Sequence, residues 1–214
     1  MGYLVNLVLD RKPTVVVGAG SVALRKVTGL LAAGARVTVI APRSCEDIRT
    51  LASNGRIALV EREYARGDLA GAFLVIAATA DESLNVSISD EARSLNILVN
   101  VVDRPAVCTF TLPAVVRRGN LSLAVATEGR CPALARALRE DLESRYGQEY
   151  AELLDVMGRL RDQMLERGWE SPRIQEALSR IYREGLLGRL APSSAKELEG
   201  FVTDVAGEPF PLDR

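Results

Sequence analysis

The stretch Val15-Val-Val-Gly-Ala-Gly-Ser-Val-Ala-Leu-Arg-Lys26 decides the fold of this chain. Three valines run into Gly18, and a helical pattern begins at Ser21. This order predicts a buried strand, a tight turn and a helix. The glycine pattern is G-x-G-x-x-A, in which the first glycine allows the turn and the second leaves room for a pyrophosphate. A βα turn without a ligand can show the same pattern, but we expect a dinucleotide here. The residues expected to bind it are Gly18, Gly20, Ser21 and Val22.

Composition places the chain among ordinary globular proteins. Its 214 residues allow one large domain or two to three small ones, and the net charge is −1. No apolar run is long enough to cross a membrane, and no overall charge excess favours nucleic acid, so we expect neither partner. The three cysteines, Cys45, Cys108 and Cys131, form no disulfide framework and no zinc motif. A cytoplasmic location is therefore expected.

The chain contains no histidine. A catalytic histidine and a histidine metal site are thus excluded, and we expect no metal held by the protein. Proton transfer must fall to a carboxylate, a lysine, a tyrosine, a cysteine or water.

Strands and helices alternate along the first hundred residues. The pattern predicts an α/β fold with a Rossmann-like, doubly wound parallel sheet. After the first strand, the predicted elements are strands Arg36–Ile40, Ile57–Val60, Phe73–Ala77 and Ile97–Val102, and helices Cys45–Ala52 and Glu82–Leu95.

Polar residues follow several of these strands, at the sheet edge where α/β proteins bind ligands. Pro42, Arg43 and Thr79 are expected to contact the cofactor there. The acid that often binds the ribose of NAD is missing from the second strand, so that contact falls to the backbone around Pro42 and Arg43. Arg43 also leaves room for the 2′-phosphate of NADP. NAD is the preferred cofactor, but the residues do not exclude NADP. The alternative for Arg43 is a solvated loop charge.

The pattern changes after Asp103. Cys108–Leu112 and Leu121–Thr127 are predicted strands, antiparallel because their connection is short. Helices Ala133–Tyr146, Tyr150–Arg167 and Pro172–Glu184 are predicted next, and the tail from Leu190, with Pro192, Ser193, Ser194, Pro209 and Pro211, is expected to be partly loose. The predicted division is a dinucleotide-binding domain at 1–112, a strand-and-helix segment at 113–146 and a helical C-terminal module at 147–214.

Arginines are concentrated in one part of the chain. Between positions 104 and 139 there is one acid, Glu128, and the basic residues are Arg104, Arg117, Arg118, Arg130, Arg136 and Arg139. This excess favours an anionic partner, and the planar guanidinium favours carboxylates. The alternative is a solvated charged face.

Several motifs resemble the precorrin-2 dehydrogenase family, the dehydrogenase and ferrochelatase module of siroheme synthase. They follow the family's order and spacing from Gly18 to about Arg139. The matching motifs are Gly18–Lys26, Asn100-Val-Val-Asp103, Cys108-Thr-Phe110, Pro113-Ala114, Arg118-Gly119, Leu123–Gly129 and Pro132–Arg136. Fused siroheme synthases also have a methyltransferase domain, for which this chain is too short, so it resembles the stand-alone form.

The resemblance implies NAD-dependent oxidation of precorrin-2 to sirohydrochlorin in siroheme biosynthesis. Asp103 matches an aspartate that the family uses in dehydrogenation and chelation, and it is the candidate general base. The alternative for Asp103 is a turn or cap aspartate. The substrate bears eight carboxylates, which agrees with the arginine-rich segment. The implied substrate-binding residues are Asn100, Arg117, Arg118 and Thr127, although Thr127 is equally consistent with an ordinary strand threonine.

Two other functions stay open, and the resemblance also predicts an assembly. Some family members insert ferrous iron, which would make the enzyme bifunctional. A non-enzymatic NAD-sensing module is the third possibility. The family resemblance further implies a homodimer built through the region from Cys108 to Thr127, because an isolated strand pair is not stable alone.

Overall fold

The computed structural model describes residues 2–190 and 194–212. The chain divides into two compact units, Met1–Leu112 and Pro113–Arg214. Each unit has its own buried apolar clusters. A further boundary at residue 146 stays a prediction.

The first unit is a five-stranded parallel sheet with helices. Its strands are β1 Pro13–Val17, β2 Arg36–Ile40, β3 Ala58–Val60, β4 Leu74–Ala77 and β5 Leu98–Val101. Its helices are α1 Ser21–Ala32, α2 Glu46–Ser53 and α3 Glu82–Ser94. The strand order is β3-β2-β1-β4-β5, and all pairs are parallel. The chain therefore reverses its direction of winding between β1 and β4, and the predicted Rossmann-like fold is confirmed.

Both faces of this sheet are buried, because successive strand side chains point to opposite faces. Val16 of β1 belongs to one cluster with Ala23 and Val27 of α1. Its neighbour Val17 belongs to the other, with Ile88 of α3. The carboxyl ends of all five strands consequently meet at one edge, and helices α1 and α3 begin there.

The second unit combines a small sheet with five helices among the residues described. Strands β6 Ala114–Arg118 and β7 Leu121–Val125 pair antiparallel, with Val116 opposite Leu123. The helices are α4 Pro132–Arg145, α5 Glu149–Glu166, α6 Ser171–Arg183, α7 Leu186–Leu190 and α8 Ala195–Ala206. The last four share one core, which includes Leu160, Ile181 and Val202.

The predicted strand Cys108–Leu112 is wrong. A short 3₁₀ helix, Pro105–Val107, precedes it, and the strand begins only after Pro113. The reason is that Thr109 binds β5 instead: its N–H donates to the Val99 carbonyl at 2.9 Å, and its hydroxyl oxygen accepts the Val99 N–H at 2.8 Å.

The loose tail is also wrong over residues 194–212. Ser194 and Glu197 form a reciprocal capping box that starts α8. Phe210 and Leu212 are buried in the core of the helical region. Pro192 and Ser193 lie outside the described residues.

Candidate functional site

Backbone hydrogen bonds bring three strand-end loops of the first unit together. The Gly18 N–H donates to the Ile40 carbonyl at 2.9 Å, and the Cys45 N–H donates to the Ala19 carbonyl at 3.0 Å. On the other side of β1, the Ala78 N–H donates to the Val17 carbonyl at 2.8 Å. The loops after β1, β2 and β4 are thus adjacent at the point where the winding reverses, the usual ligand position in such sheets.

Gly18 is required by its backbone and by its neighbours. Its φ of +107° lies in the region that side chains disfavour. A Cβ at this position would lie 2.4 Å from the Ala78 carbonyl oxygen, closer than any real contact. The loop after β1 therefore packs directly on the loop after β4.

Gly20 lies at the start of α1 and leaves that helix end open. Its φ of −86° and ψ of −172° suit any residue, and a Cβ there would meet no atom within 4 Å. Among the described residues, no side chain caps this end and the first turn has no acid. The first N–H groups, including those of Ser21 and Val22, therefore remain available at the positive end of the helix dipole.

Pro42 and Arg43 form an exposed bend after β2. Within the described ranges, Arg43 makes no ion pair. Its guanidinium is thus available to an anion beside the glycine loop, as well as to solvent.

Thr79 is half-buried, and its polar groups are used inside the protein. Its hydroxyl lies 2.8 Å from Oδ1 of Asn85, and its N–H donates to the same oxygen at 3.3 Å. Asp81 then caps α3 by accepting the N–H groups of Ser83 and Leu84. The hydrogen bond from the Ser83 hydroxyl is the largest cause that lowers the pKa of Asp81, followed by the bond from the Leu84 N–H.

Asp103 is exposed, two residues beyond the end of β5, with a φ of +58°. Aspartate tolerates this left-handed conformation better than most residues. Its loop is held by the Cys108 thiol, whose sulfur accepts the Val101 N–H at 3.1 Å and lies 3.3 Å from the carbonyl oxygens of Val101 and Arg104. The Asp103 backbone is therefore held at the same sheet edge as the glycine loop.

Asn100 is buried on β5 and contacts the segment that follows Asp103. Its amide donates to the Phe110 carbonyl at 3.0 Å and contacts the Cys108 sulfur at 3.7 Å. This geometry gives Asn100 a task within the protein, and contact with a substrate stays a prediction.

Lys26, on α1, is a half-buried cation in the electrostatic range of Asp103. Burial is the main cause that lowers the pKa of its amine, and the positive charge of Arg25 lowers it further. The negative charge of Asp103 acts in the opposite direction.

The two neighbouring arginines of β6 differ in what they contact. Arg117 is exposed, whereas the side chain of Arg118 is 11% exposed. The Arg118 guanidinium donates to the Tyr146 carbonyl at 2.7 Å and to the Glu143 carbonyl at 2.9 Å. Arg118 thus binds the end of α4, which leaves Arg117 as the better candidate for a substrate carboxylate.

Part of the arginine excess is neutralised by acids that lie outside positions 104–139. Arg136 pairs with Glu140 at 2.9 Å, and Arg139 pairs with Glu140 and Glu143. In the first unit, Arg104 pairs with Glu82. Thr127 lies in the turn after β7, where its hydroxyl donates to the Cys131 carbonyl at 3.2 Å.

Residues 5–114 match the model of a family described as NAD(P)-binding, and this match covers more than half of the chain. The chain belongs to this NAD(P)-binding family. The open end of α1 and the glycine loop agree with that membership, because both suit a bound pyrophosphate.

Several similar proteins are siroheme synthases. The siroheme synthase of Vesicomyosocius okutanii subsp. Calyptogena okutanii (strain HA) is 40% identical over 165 residues, which cover 77% of this chain and 35% of that protein. The siroheme synthase of Ectopseudomonas mendocina (strain ymp) is 45% identical over 156 residues, or 73% of this chain and 33% of that protein. The chain therefore spans about a third of the length of these relatives.

A solved structure, that of SirC, precorrin-2 dehydrogenase, is similar over nearly the whole chain. The TM-score is 0.77 at 27% sequence identity, with 96% of this chain and 100% of that chain covered. Together with the relatives, it confirms the resemblance to the precorrin-2 dehydrogenase family that the sequence predicted.

The NAD(P)-binding domain also contains polar residues that sequence reasoning missed. Asn85 and Ser89 are buried on α3 and bind two different loops. Their signal was available, because both polar residues interrupt the apolar face of the predicted helix.

In the part of the chain described, no group of three or more potential ligands could hold a metal, and no helix is long and apolar enough to span a membrane.

Proposed function

We propose that this chain oxidises precorrin-2 to sirohydrochlorin with NAD as the electron acceptor. The observation that supports this most is the position of two features at one sheet edge. The open helix end at Gly20 and the exposed carboxylate of Asp103 both lie at the carboxyl ends of parallel strands. The similarity to SirC, precorrin-2 dehydrogenase, supports the choice of reaction.

The glycine loop, the first turn of α1 and the Pro42-Arg43 bend hold the cofactor. Gly20, Ser21 and Val22 would receive the pyrophosphate through backbone N–H groups, beside the turn that Gly18 makes while its own N–H donates to the Ile40 carbonyl. Pro42, Arg43 and Thr79 border the same space. Bound NAD supplies an acceptor for a hydride. The protein must therefore position both molecules and take one proton.

Asp103 accepts the proton that precorrin-2 loses when its hydride departs. The products are then sirohydrochlorin, NADH and a proton, so electrons and protons balance. Asp103 is suited to this because it is exposed and its backbone is held in place. The chain contains no histidine that could serve as the base instead.

Arg117 contributes positive charge for the carboxylates of the macrocycle. It is exposed and makes no ion pair within the described residues, unlike the arginines of α4. Asn100, Arg118 and Thr127 each support the part of the chain in which they lie through internal hydrogen bonds.

The active form is a cytoplasmic homodimer, and α4 provides part of its interface. This helix buries only Ala135, while Leu134 and Leu138 are 50% and 42% exposed. The β6–β7 pair packs on this helix within the chain, and the two exposed leucines of α4 leave an apolar surface for a second copy.

The test is anaerobic mixing of the protein with precorrin-2 and NAD, followed by the absorption spectrum. Conversion to sirohydrochlorin without added iron supports the proposal. A further spectral change on adding ferrous iron would extend the activity to chelation. Cofactor binding with no spectral change in either case would contradict the proposal and favour the sensing module.

A further inference from the structure

We infer that Asn85 is a positioning residue for the dinucleotide, because its buried amide fixes the loop on which the glycine turn packs. This inference rests on the proposed function, and it extends that function to a residue that touches no ligand. Asn85 lies on α3, one turn into the helix, and is 6% exposed.

Among the residues that the structure describes, the Asn85 side chain forms hydrogen bonds only with Thr79. Its Oδ1 accepts from the Thr79 N–H at 3.3 Å and from the Thr79 hydroxyl at 2.8 Å. Its Nδ2 donates to the Thr79 carbonyl at 3.0 Å. The amide thus satisfies both backbone groups of Thr79, as a neighbouring strand would, just after β4 has ended.

The contact between Thr79 and the glycine loop makes this bond relevant to the cofactor. A Cβ on Gly18 would lie 2.4 Å from the Ala78 carbonyl oxygen and 3.2 Å from the Thr79 nitrogen. The Ala78–Thr79 backbone is therefore the surface against which Gly18 turns. If Thr79 moved, the turn would lose its support and the first N–H groups of α1 would lose their fixed direction.

The chemistry of the site requires an amide. A carboxylate at position 85 would accept the two bonds from Thr79 but would face its carbonyl oxygen without a proton to donate. An apolar side chain would remove the partners of the Thr79 N–H and carbonyl, which is costly, while the Thr79 hydroxyl would keep its bonds with Asp81. Asn85→Asp thus removes one of the hydrogen bonds that hold the Thr79 loop, and Asn85→Ala removes all three.

Ser89 offers a matched control on the same helix. It lies one turn after Asn85, is fully buried, and donates one hydrogen bond of 2.6 Å to the Val107 carbonyl. That carbonyl belongs to the segment after β5 and not to the loop after β4 that contains Thr79. Ser89→Ala therefore removes a comparable buried bond from α3 without releasing Thr79.

The experiment measures the dissociation constant of NADH by its fluorescence for the full chain and for the three variants. Thermal melting identifies the temperature at which each variant is folded. We expect Asn85→Ala and Asn85→Asp to weaken NADH binding by about tenfold or more. The reason is that only a minor fraction of the molecules would then have the loop conformation that binds NADH. Ser89→Ala should change the constant by less than about threefold even if its melting temperature falls. The KM for NAD should rise more than the KM for precorrin-2 in both Asn85 variants.

Several results would overturn the inference. Wild-type NADH affinity in folded Asn85→Ala would do so, as would an equal loss in Ser89→Ala. If neither Asn85 variant folded, the residue would support the whole domain rather than the cofactor loop. Failure of the proposed function looks different, because the unmodified chain would then bind NADH without oxidising precorrin-2, or bind none.

Discussion

Gly18 and Gly20 are two residues apart, yet the fold needs only the first. Gly18 has a positive φ and no space for a Cβ, whereas Gly20 has an ordinary conformation and open space around it. The sequence predicted both positions, because the spacing of the glycines is local information. For Asn85 it showed only a polar residue on an apolar helix face, because the partner Thr79 is defined by the turn that the loop adopts.

Gly20→Val should therefore leave the fold intact and abolish tight NAD binding. The new side chain would occupy the space that a pyrophosphate needs, so we expect affinity to fall by more than about tenfold. Calorimetric titration with NAD and a thermal melt check this. Gly29→Ala is the control, since Gly29 is exposed on the same helix and a Cβ there meets nothing within 4 Å. Normal NAD binding by Gly20→Val would make the loop structural.

Asp103→Asn should lower kcat by about 10²–10⁴-fold, the usual contribution of a general base. Asparagine tolerates the positive φ of +58° at this position, so the loop should keep its shape. Steady-state oxidation of precorrin-2 under anaerobic conditions measures kcat for the wild type and the variant. A loss below about tenfold would assign the proton to water or to another residue.

Arg117→Ala and Arg118→Ala should separate substrate binding from stability. Arg117 is exposed, so its loss should raise the KM for precorrin-2 by about two- to fivefold and do so less at high salt. Arg118 donates to two carbonyls at the end of α4, and its loss should lower the free energy of unfolding by about 2–3 kcal/mol. Kinetics and denaturant titration distinguish them. If Arg118→Ala raised the KM for precorrin-2 and Arg117→Ala did not, the substrate role would belong to Arg118.

At the scale of elements, local patterns predicted most of the fold. The five parallel strands and the helices between them follow the predicted order, because each has its own apolar period and turn residues. The strand expected at Cys108–Leu112 failed for a non-local reason, the pairing of Thr109 with Val99 of β5. The helix α8 was missed although Ser194 and Glu197 have the spacing of a capping box.

Helix α4 is the element whose surface tests the homodimer. Leu134→Glu combined with Leu138→Glu should convert the dimer to a monomer, because two charges would replace exposed leucines. Light scattering on wild type and variant at micromolar concentration gives the masses. Leu165→Glu on α5, a leucine 43% exposed, is the control and should leave the mass unchanged. A monomeric wild type would contradict the homodimer.

At the scale of the whole molecule, the charge pattern was harder to interpret than the fold. The sequence shows six arginines between positions 104 and 139, but contacts show which of them are paired. Arg136 and Arg139 find their acids within α4, at a spacing of four residues that the sequence did contain. Arg118 binds carbonyl groups, which no charge count reveals.

We propose that this chain transfers a hydride from precorrin-2 to NAD. The most direct measurement is the yield of NADH against the yield of sirohydrochlorin, with limiting precorrin-2, excess NAD, no iron and no oxygen. We predict equal amounts of the two products with wild type and neither with Gly20→Val. Sirohydrochlorin formed without matching NADH, or no sirohydrochlorin from folded protein that binds NAD, would contradict the claim.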